Sequence, residues 1–424
     1  MSRFCQHSPA AMLQSPATPL LLGALVAPLL VSLASLGLAP LFAVIVVWAL
    51  AAGWHSRPWQ RMNRPMAACL AFVVAWGALS TFWALDPVQT ARTSMVLAGE
   101  LFGGMILLIL ARDLPQTDRR PIVLALAAGF SLNVALLLIE LMTPGLTPLL
   151  HNFNNLPPEV VRESQLNKLS RSFTLTAILC LPVALALWRF NHRIWAVAVT
   201  AGVMVVVVIG HSLASKLGLP LAVAVAWAAS RRPVATSRVL AVAMVVTIAA
   251  APLVMRLSPS PQMLHDNFHM IPSSSLHRLV IWTFTTGKIY EKPVLGWGLD
   301  GSRTIPGADD SAIIIRRDLD NTEILQAHLP LHPHQAALQW WLELGAVGTA
   351  AVAAFLALAV LAMGRMAHPA APLAATAAAF VVALVSYGIW QSWWQGTLWL
   401  VAALCAAMFS NARTDAHTNA RTND

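Results

Sequence analysis

The residues best placed to do chemistry gather in His332-Pro333-His334-Gln335, just ahead of LQWWLELGAVG at 338–348. Proline suits the first helical position, so the spacing predicts a helix opening at Pro333 with His334 in its first turn, at the membrane surface. At about 100° per residue, Leu338, Trp341, Gly345 and Gly348 fall on the same stripe as His334. The two glycines, three apart, would let that stripe press closely on a neighbouring helix. A histidine beside the positive end of a helix dipole is disfavoured as imidazolium, and a neutral imidazole can take a proton. The same histidine could equally do no more than anchor its helix at an interface. Glu343 falls about 180° from His334 on a regular helix, which points to packing or hydrogen bonding and not to direct contact. Glu100 and Glu140 lie near span ends, where a carboxylate can face water or a cavity.

Cations form the second group. Arg162, Lys168, Arg171, Arg256, Arg278, Lys288, Lys292, Arg303, Arg316 and Arg317 sit in two long segments, 143–171 and 256–335. An anionic ligand would account for them. Solvated loop surface would also do so, since Asp300, Asp309, Asp310, Asp318, Asp320 and Glu323 offset part of the charge. Two spacings are similar to those of metal sites. Asp318-Leu319-Asp320 has the D-x-D spacing of a divalent site, but the flanking Arg316 and Arg317 would pair with it. His265 and His269, and His328 and His332, stand four apart, but Pro330 interrupts the second pair and no cysteine or glutamate completes a zinc motif. No metal is expected. Gly296, Gly298 and Gly301 in GWGLDG lack the strand and helix context of a nucleotide loop and read as a tight turn.

The elements that must position these groups are membrane helices. Of 424 residues, 58% are hydrophobic and 11% charged, against about 25% charged in soluble domains. Apolar runs at 19–35, 38–54, 65–84, 93–111, 121–142, 172–188, 194–210, 217–229, 239–255, 336–363, 370–390 and 396–410 predict about twelve spans. The run at 217–229 is short, and the first two could form one re-entrant pair, so the range is ten to twelve. The first run reads as a retained span and not a cleaved signal. Lysine and arginine in the connections place both termini inside: Arg57, Arg61, Arg64, Arg112, Arg119, Arg120, Arg189, Arg193, Arg231, Arg232, Arg238 and Arg365 fall on one side, against Arg92 and Lys216 in the short links of the other. The expected fold is thus an all-α polytopic membrane bundle. It divides into helices one to nine over 1–255, a long outside loop at 256–335 with an interfacial helix at 276–291, and three helices with a tail over 336–424. Cys5, Cys69, Cys180 and Cys405 are spaced as neither a disulfide framework nor a thiolate site. Trp54, Trp83, Trp188, Trp340, Trp390, Trp393 and Trp394 fit interfacial belts, with a few on the outside free to stack on sugars.

HPHQ followed by LQWWLELGAVG resembles the signature of the O-antigen ligase and polymerase superfamily, in which HPHN or HN begins a helix carrying LQ, E and GxxG. Ser170-Arg171-Ser172 ends the first long segment as an arginine does in that family, and Ser215-Lys216 stands where relatives usually carry Ser-Arg. His277-Arg278-Leu279 with Trp282, then EKPVLGWG at 291–298, is similar to the family's R-x-x-x-W and N-P-x-x-G-x-G block. The resemblance covers roughly 165–350; the first third matches only in hydropathy. Gln335 in place of asparagine keeps the amide, whereas Lys216 in place of arginine loses the bidentate fork.

The resemblance implies a membrane glycosyltransferase of the bacterial inner membrane with a periplasmic active site. Its donor would be an undecaprenyl diphosphate-linked glycan and its acceptor lipid A-core. Membrane lipids would be its other partners, with no nucleic acid, nucleotide sugar or metal. His334 would be the base, with Arg171, Lys216, Arg278, Arg303, His332 and Gln335 on the substrate and diphosphate. Within the family, polymerase and protein O-glycosyltransferase activities compete with ligase, which the plan of the chain resembles most. A transporter of anionic solutes is the rival of another class, although no inverted repeat is visible and the cations lie in loops, not at mid-membrane.

Overall fold

The computed structural model describes residues 15–143, 158–268, 271, 273–317 and 322–410. Twelve apolar helices follow the chain: α1 Ala17–Ala34, α2 Leu38–Gly53, α3 Arg64–Leu79, α4 Pro87–Arg112, α5 Gln116–Met142, α6 Pro158–Arg189, α7 Arg193–Ile209, α8 Leu213–Arg231, α9 Pro233–Arg256 and, after the long loop, α12 Ala336–Met363, α13 Ala370–Val385 and α14 Ser392–Phe409. The loop itself holds α10 Pro261–Asn267, α11 Ser273–Glu291 and a hairpin of β1 Ser311–Arg317 and β2 Thr322–Ala327.

Each predicted apolar run has become one helix. By length and composition, nine membrane-crossing candidates occur among the described residues, one of them the continuous stretch Ala17–Ser56. Arg193–Ile209 and Ala370–Val385 are apolar but shorter. The Ala17–Ser56 stretch is a helical hairpin. Its chain turns at Ser35–Gly37, so that Gly37 lies against Leu30 and Gly23 against Ile45.

Helix starts explain where the hydropathic boundaries were too narrow. Asp86 Oδ1 accepts from Gln89 N at 3.0 Å with Pro87 at the first position, so α4 begins six residues before its apolar run. Ser212 caps α8 by accepting from Ser215 N at 3.3 Å, which lengthens the short run to 19 residues. The first long loop is shorter than expected, because α6 already begins at Pro158 and its polar helix-forming residues carry the helix beyond the apolar core. Arg171 is therefore a helical residue.

One end of the bundle is knit by arginines. Arg119 Nη1 donates to the Ser410 carbonyl and Arg189 Nη1 to Met408 O at 2.9 Å, satisfying the open carbonyls at the end of α14. Arg61 pairs there with Asp113, which also accepts from Arg112 at 3.2 Å. In the interior, Ser32 donates to Asn133 Oδ1 at 2.6 Å and Asn133 Nδ2 to Thr176 at 3.1 Å, locking α1, α5 and α6 below the opposite end. The long loop, Ser35, Arg171 and the 386–391 connection all meet at that opposite end.

Candidate active site

The loop before α12 departs from the predicted helix start. The helix begins at Ala336, and Gln335 is its cap, with Oε1 accepting from Leu338 N at 2.5 Å. His334 is consequently not in the first turn but one residue outside, in the left-handed region at φ 55°. The stripe linking His334 with Leu338, Trp341, Gly345 and Gly348 does not exist, because its first member lies off the helix. A non-glycine residue held at positive φ is strained, and such strain persists where surrounding contacts over-determine it. Here they do: the Pro333 carbonyl accepts from Trp282 Nε1 at 2.9 Å, and His334 N donates to His332 Nδ1 at 3.2 Å.

The second correction concerns the glycines. Gly345 breaks α12 at φ 61°, ψ −168°, a region only glycine occupies. Through the break passes the 293–298 segment, whose backbone bonds to the opened helix: Trp297 N to Leu342 O at 2.8 Å, Gly298 N to Glu343 O at 3.0 Å, and Ala346 N to Pro293 O at 2.9 Å. Gly345 admits a loop, whereas Gly348 faces Trp76 of α3. The tight turn read in GWGLDG is present, closed by Gly301 N donating to Gly298 O at 3.0 Å, with Gly296 and Gly298 at positive φ.

Glu343 ties this insertion to the site. Its Oε1 accepts from Ser302 Oγ and from Gln339 Nε2 at 3.0 Å; its Oε2 accepts from Asp300 N at 2.7 Å and from Trp390 Nε1. Gln339 Oε1 in turn accepts from Ile389 N at 2.9 Å. Two turns of α12 thus fix both the loop at 300–303 and the connection at 386–391.

That connection orients the histidines. His334 Nδ1 lies 2.5 Å from the Ser386 carbonyl, which can only accept, so Nδ1 carries the proton and Nε2 keeps a free lone pair. Burial lowers the His334 pKa below the ordinary histidine value; the Ser386 carbonyl opposes this, and Arg278 and His277 add to it. Burial, then His334 and Arg303, push His332 down to about 3. Its Nδ1 accepts from His334 N, and its Nε2 stands 3.2 Å from Gln391 Nε2. The two rings are 4.1 Å apart.

Around them stand the cations. Arg171 Nη1 donates to Ser35 Oγ at 2.7 Å while its guanidinium stacks 4.8 Å from the Trp393 ring. Arg278, one turn from Trp282 on α11, is lowered by burial and lies close enough to Tyr387 for that ring to oppose the shift. Arg171 and Arg278 both act on the Tyr387 hydroxyl, whose pKa burial nonetheless raises to about 12. Among the described residues neither arginine pairs with a carboxylate. Arg303 does, at 3.4 Å from Asp300, and remains half exposed.

Arg171, Arg278, Arg303, His332 and His334 are thus brought together, with Gln335 buried beneath them as a cap. Lys216 is exposed on the first turn of α8, and no side-chain hydrogen bond or ion pair ties it to them among the described residues. Tyr387, Ser386 and Gln391 were missed from the sequence, because they arrive from a connection 50 residues downstream that carries no motif. Trp393 and Trp394, expected in a belt, are buried at 5% and 1% exposure, whereas Trp54 and Trp188 remain over half exposed as a belt requires. His328 stacks on Phe284 at 5.0 Å, and no group of three potential metal ligands occurs among the described residues. Asp318, Asp320 and His269 lie outside those residues.

Comparison with known proteins converges on the same segment. Residues 210–353 match the family model described as O-antigen ligase. Three relatives from Rickettsia bear the name "putative polysaccharide ligase". The R. conorii protein is 30% identical over 148 residues, 34% of each chain. The R. prowazekii protein is 26% identical over 230 residues, 53% of this chain and 55% of the relative, and that of R. felis 24% over 340 residues, 78% and 77%. The chain spans only about a third to a half of the first two relatives' length. No solved structure matches. The all-α bundle and the histidine loop braced on a broken helix thus accompany a similarity to the O-antigen ligase family over that very segment.

Proposed function

We propose that the protein transfers a glycan from undecaprenyl diphosphate to lipid A-core, at the periplasmic end of an inner-membrane bundle, by single displacement with inversion. The acceptor hydroxyl gives its proton to His334 Nε2 as its oxygen bonds to the sugar carbon. The carbon–oxygen bond to the diphosphate breaks, and the electron pair leaves on the diphosphate beside Arg171 and Arg278. The observation that carries this reading is the Ser386 carbonyl on His334 Nδ1, which leaves the far nitrogen a neutral acceptor near Arg171 and Arg278, neither paired with a carboxylate among the described residues. Preorganised cations stabilise the charge that develops on a leaving group, and a positioned base adds about 10²–10⁴ to the rate.

Arg303 stands close enough to depress His332 and would extend the cationic rim. Lys216, exposed on the first turn of α8, would meet the diphosphate as a point charge. His332 serves as a positioning residue, because its ring holds the His334 main chain. The arginine-rich opposite end is cytoplasmic by the charge rule, which supports a periplasmic site. The names that the relatives bear favour ligase over polymerase. The test is transfer by purified protein supplied with lipid diphosphate-linked glycan, lipid A-core and excess chelator. Wild type should form product and His334→Ala should lose about 10²–10⁴ of the rate. Near-normal transfer by His334→Ala would end the base assignment, and product only when glycan repeats replace lipid A-core would make the chain a polymerase.

A further inference from the structure

Beneath the site lies a hollow of about 440 Å³ between α3, α4 and α14 on one wall and α12 and α13 on the other. Its walls are aliphatic and aromatic, including Leu70, Met105, Phe355, Ala379 and Trp399. The volume falls within the range of about 300–1,000 Å³ typical of ligand sites. Left empty, it would forfeit dispersion contacts along all its walls.

Its two ends differ. The upper end is roofed by Ile389 and Trp390, whose hydrogen bonds to Gln339 and Glu343 separate it from the histidines above. At the lower end stand Arg61 and Arg112. Both pair with Asp113, so two cations share one carboxylate and a single positive charge is left over. Arg61 also keeps a buried Nε without a partner among the described residues. Along α14 the lining runs from Gln395 to Ser410, roughly 22 Å at 1.5 Å per residue. Along α4 and α13 it runs from Leu101 to Arg112 and from Pro372 to Ala383, roughly 16 Å each. One leaflet of a hydrocarbon core is about 15 Å deep.

We infer that this hollow holds one acyl tail of an anionic phospholipid, inserted from the end opposite the histidines, with its phosphate against Arg61 and Arg112. Length and charge select this occupant. A tail of single-leaflet reach fills the hollow, and a phosphate neutralises the surplus cation. The isoprenoid tail of a donor whose diphosphate lies at the histidine end would have to pass the Trp390–Glu343 roof. The roof also joins the lipid to the site, because the 386–391 connection that orients His334 rests on whatever fills the space below.

Native mass spectrometry of the detergent-purified chain tests this without reference to activity. The expected spectrum shows one retained adduct with the mass of phosphatidylglycerol or another anionic phospholipid. Delipidated protein should rebind phosphatidylglycerol in preference to phosphatidylcholine. Arg61→Gln and Arg112→Gln should each weaken that binding about fivefold, the equivalent of about 1 kcal/mol per cation. Ala379→Trp, and separately Ala359→Trp, should abolish the adduct by filling the hollow. Should either tryptophan variant fail to fold, the arginine variants and the headgroup preference decide alone. An adduct with a polyprenyl mass, no adduct, equal binding of the two headgroups, or an adduct indifferent to folded tryptophan variants would overturn the inference.

Discussion

Replacing Gly345 by alanine should unseat the site without touching any group that meets substrate. A Cβ there would stand 2.2 Å from Val294 O and 2.6 Å from Gly296 N, both backbone atoms of the inserted loop. Two responses are open. If the loop stays, alanine at φ 61°, ψ −168° costs about 1–3 kcal/mol of backbone strain, before any overlap is relieved. If the loop withdraws, four backbone hydrogen bonds between 293–298 and 342–347 are lost, at about 1 kcal/mol net each. Either way the loss is about 3–5 kcal/mol, a large part of the ~5–15 kcal/mol that holds a domain together. Gly99→Ala is the matched control, since a Cβ at this α4 position meets nothing within 4 Å and should be neutral or stabilising by up to about 1 kcal/mol. The assay is thermal inactivation of both variants in one detergent, read as a rate because membrane proteins seldom refold, alongside transfer at a temperature where both are folded. Gly345→Ala should inactivate much faster, and its transfer rate should fall, since Asp300 and Ser302 would no longer meet Glu343. Equal inactivation of the two variants would refute the claim that the broken helix is what holds the loop.

Three further outcomes follow from the same geometry. Transfer should rise with pH along an acid limb whose midpoint lies below the ordinary histidine value of 6.5, because burial lowers the His334 pKa and the base works only when neutral; a pH–rate profile with its midpoint above 6.5 would contradict the buried base. Folded-state resistance to inactivation should be fully present above pH 6.5 and decline as pH falls towards 3, since His332 is held at about 3 and each unit is worth about 1.4 kcal/mol; His332→Gln should flatten that decline. Glu343→Gln replaces an acceptor of four donors by an amide that can accept from only one side, leaving at least one buried donor unmet at about 1–3 kcal/mol, so transfer should fall while His334→Ala adds little beyond its own effect.

The sequence was informative where hydropathy or motif governs the structure. Twelve apolar runs each became a helix, and HPHQ, Arg171 and Arg278 marked residues that the fold gathers at one end. What escaped depends on pairings between distant segments. Gln335 reads as a substrate-facing amide until its cap on Leu338 is seen, and Pro333 promises a helix start that the His332 and Trp282 hydrogen bonds move to Ala336. The G-x-x-G spacing suggested helix against helix, yet Gly345 opens its own helix to a loop 50 residues upstream. Ser386 and Tyr387 carried no signal, because one acts through its main chain and the other through a position set by α6 and α11.

The group that sets the tautomer of His334 is a peptide oxygen, and side-chain scanning would pass over it. Ser386→Ala deletes a hydroxyl and leaves that acceptor in place, so a survey of point variants would score the position as dispensable. Control over the proton therefore belongs to the contour of the chain between Ser386 and Gln391, where Gly388 lies flat against the His332 ring. A side chain added at Gly388 would tilt that ring and, through it, the carbonyl's partner, changing which nitrogen is free without altering a single titratable residue.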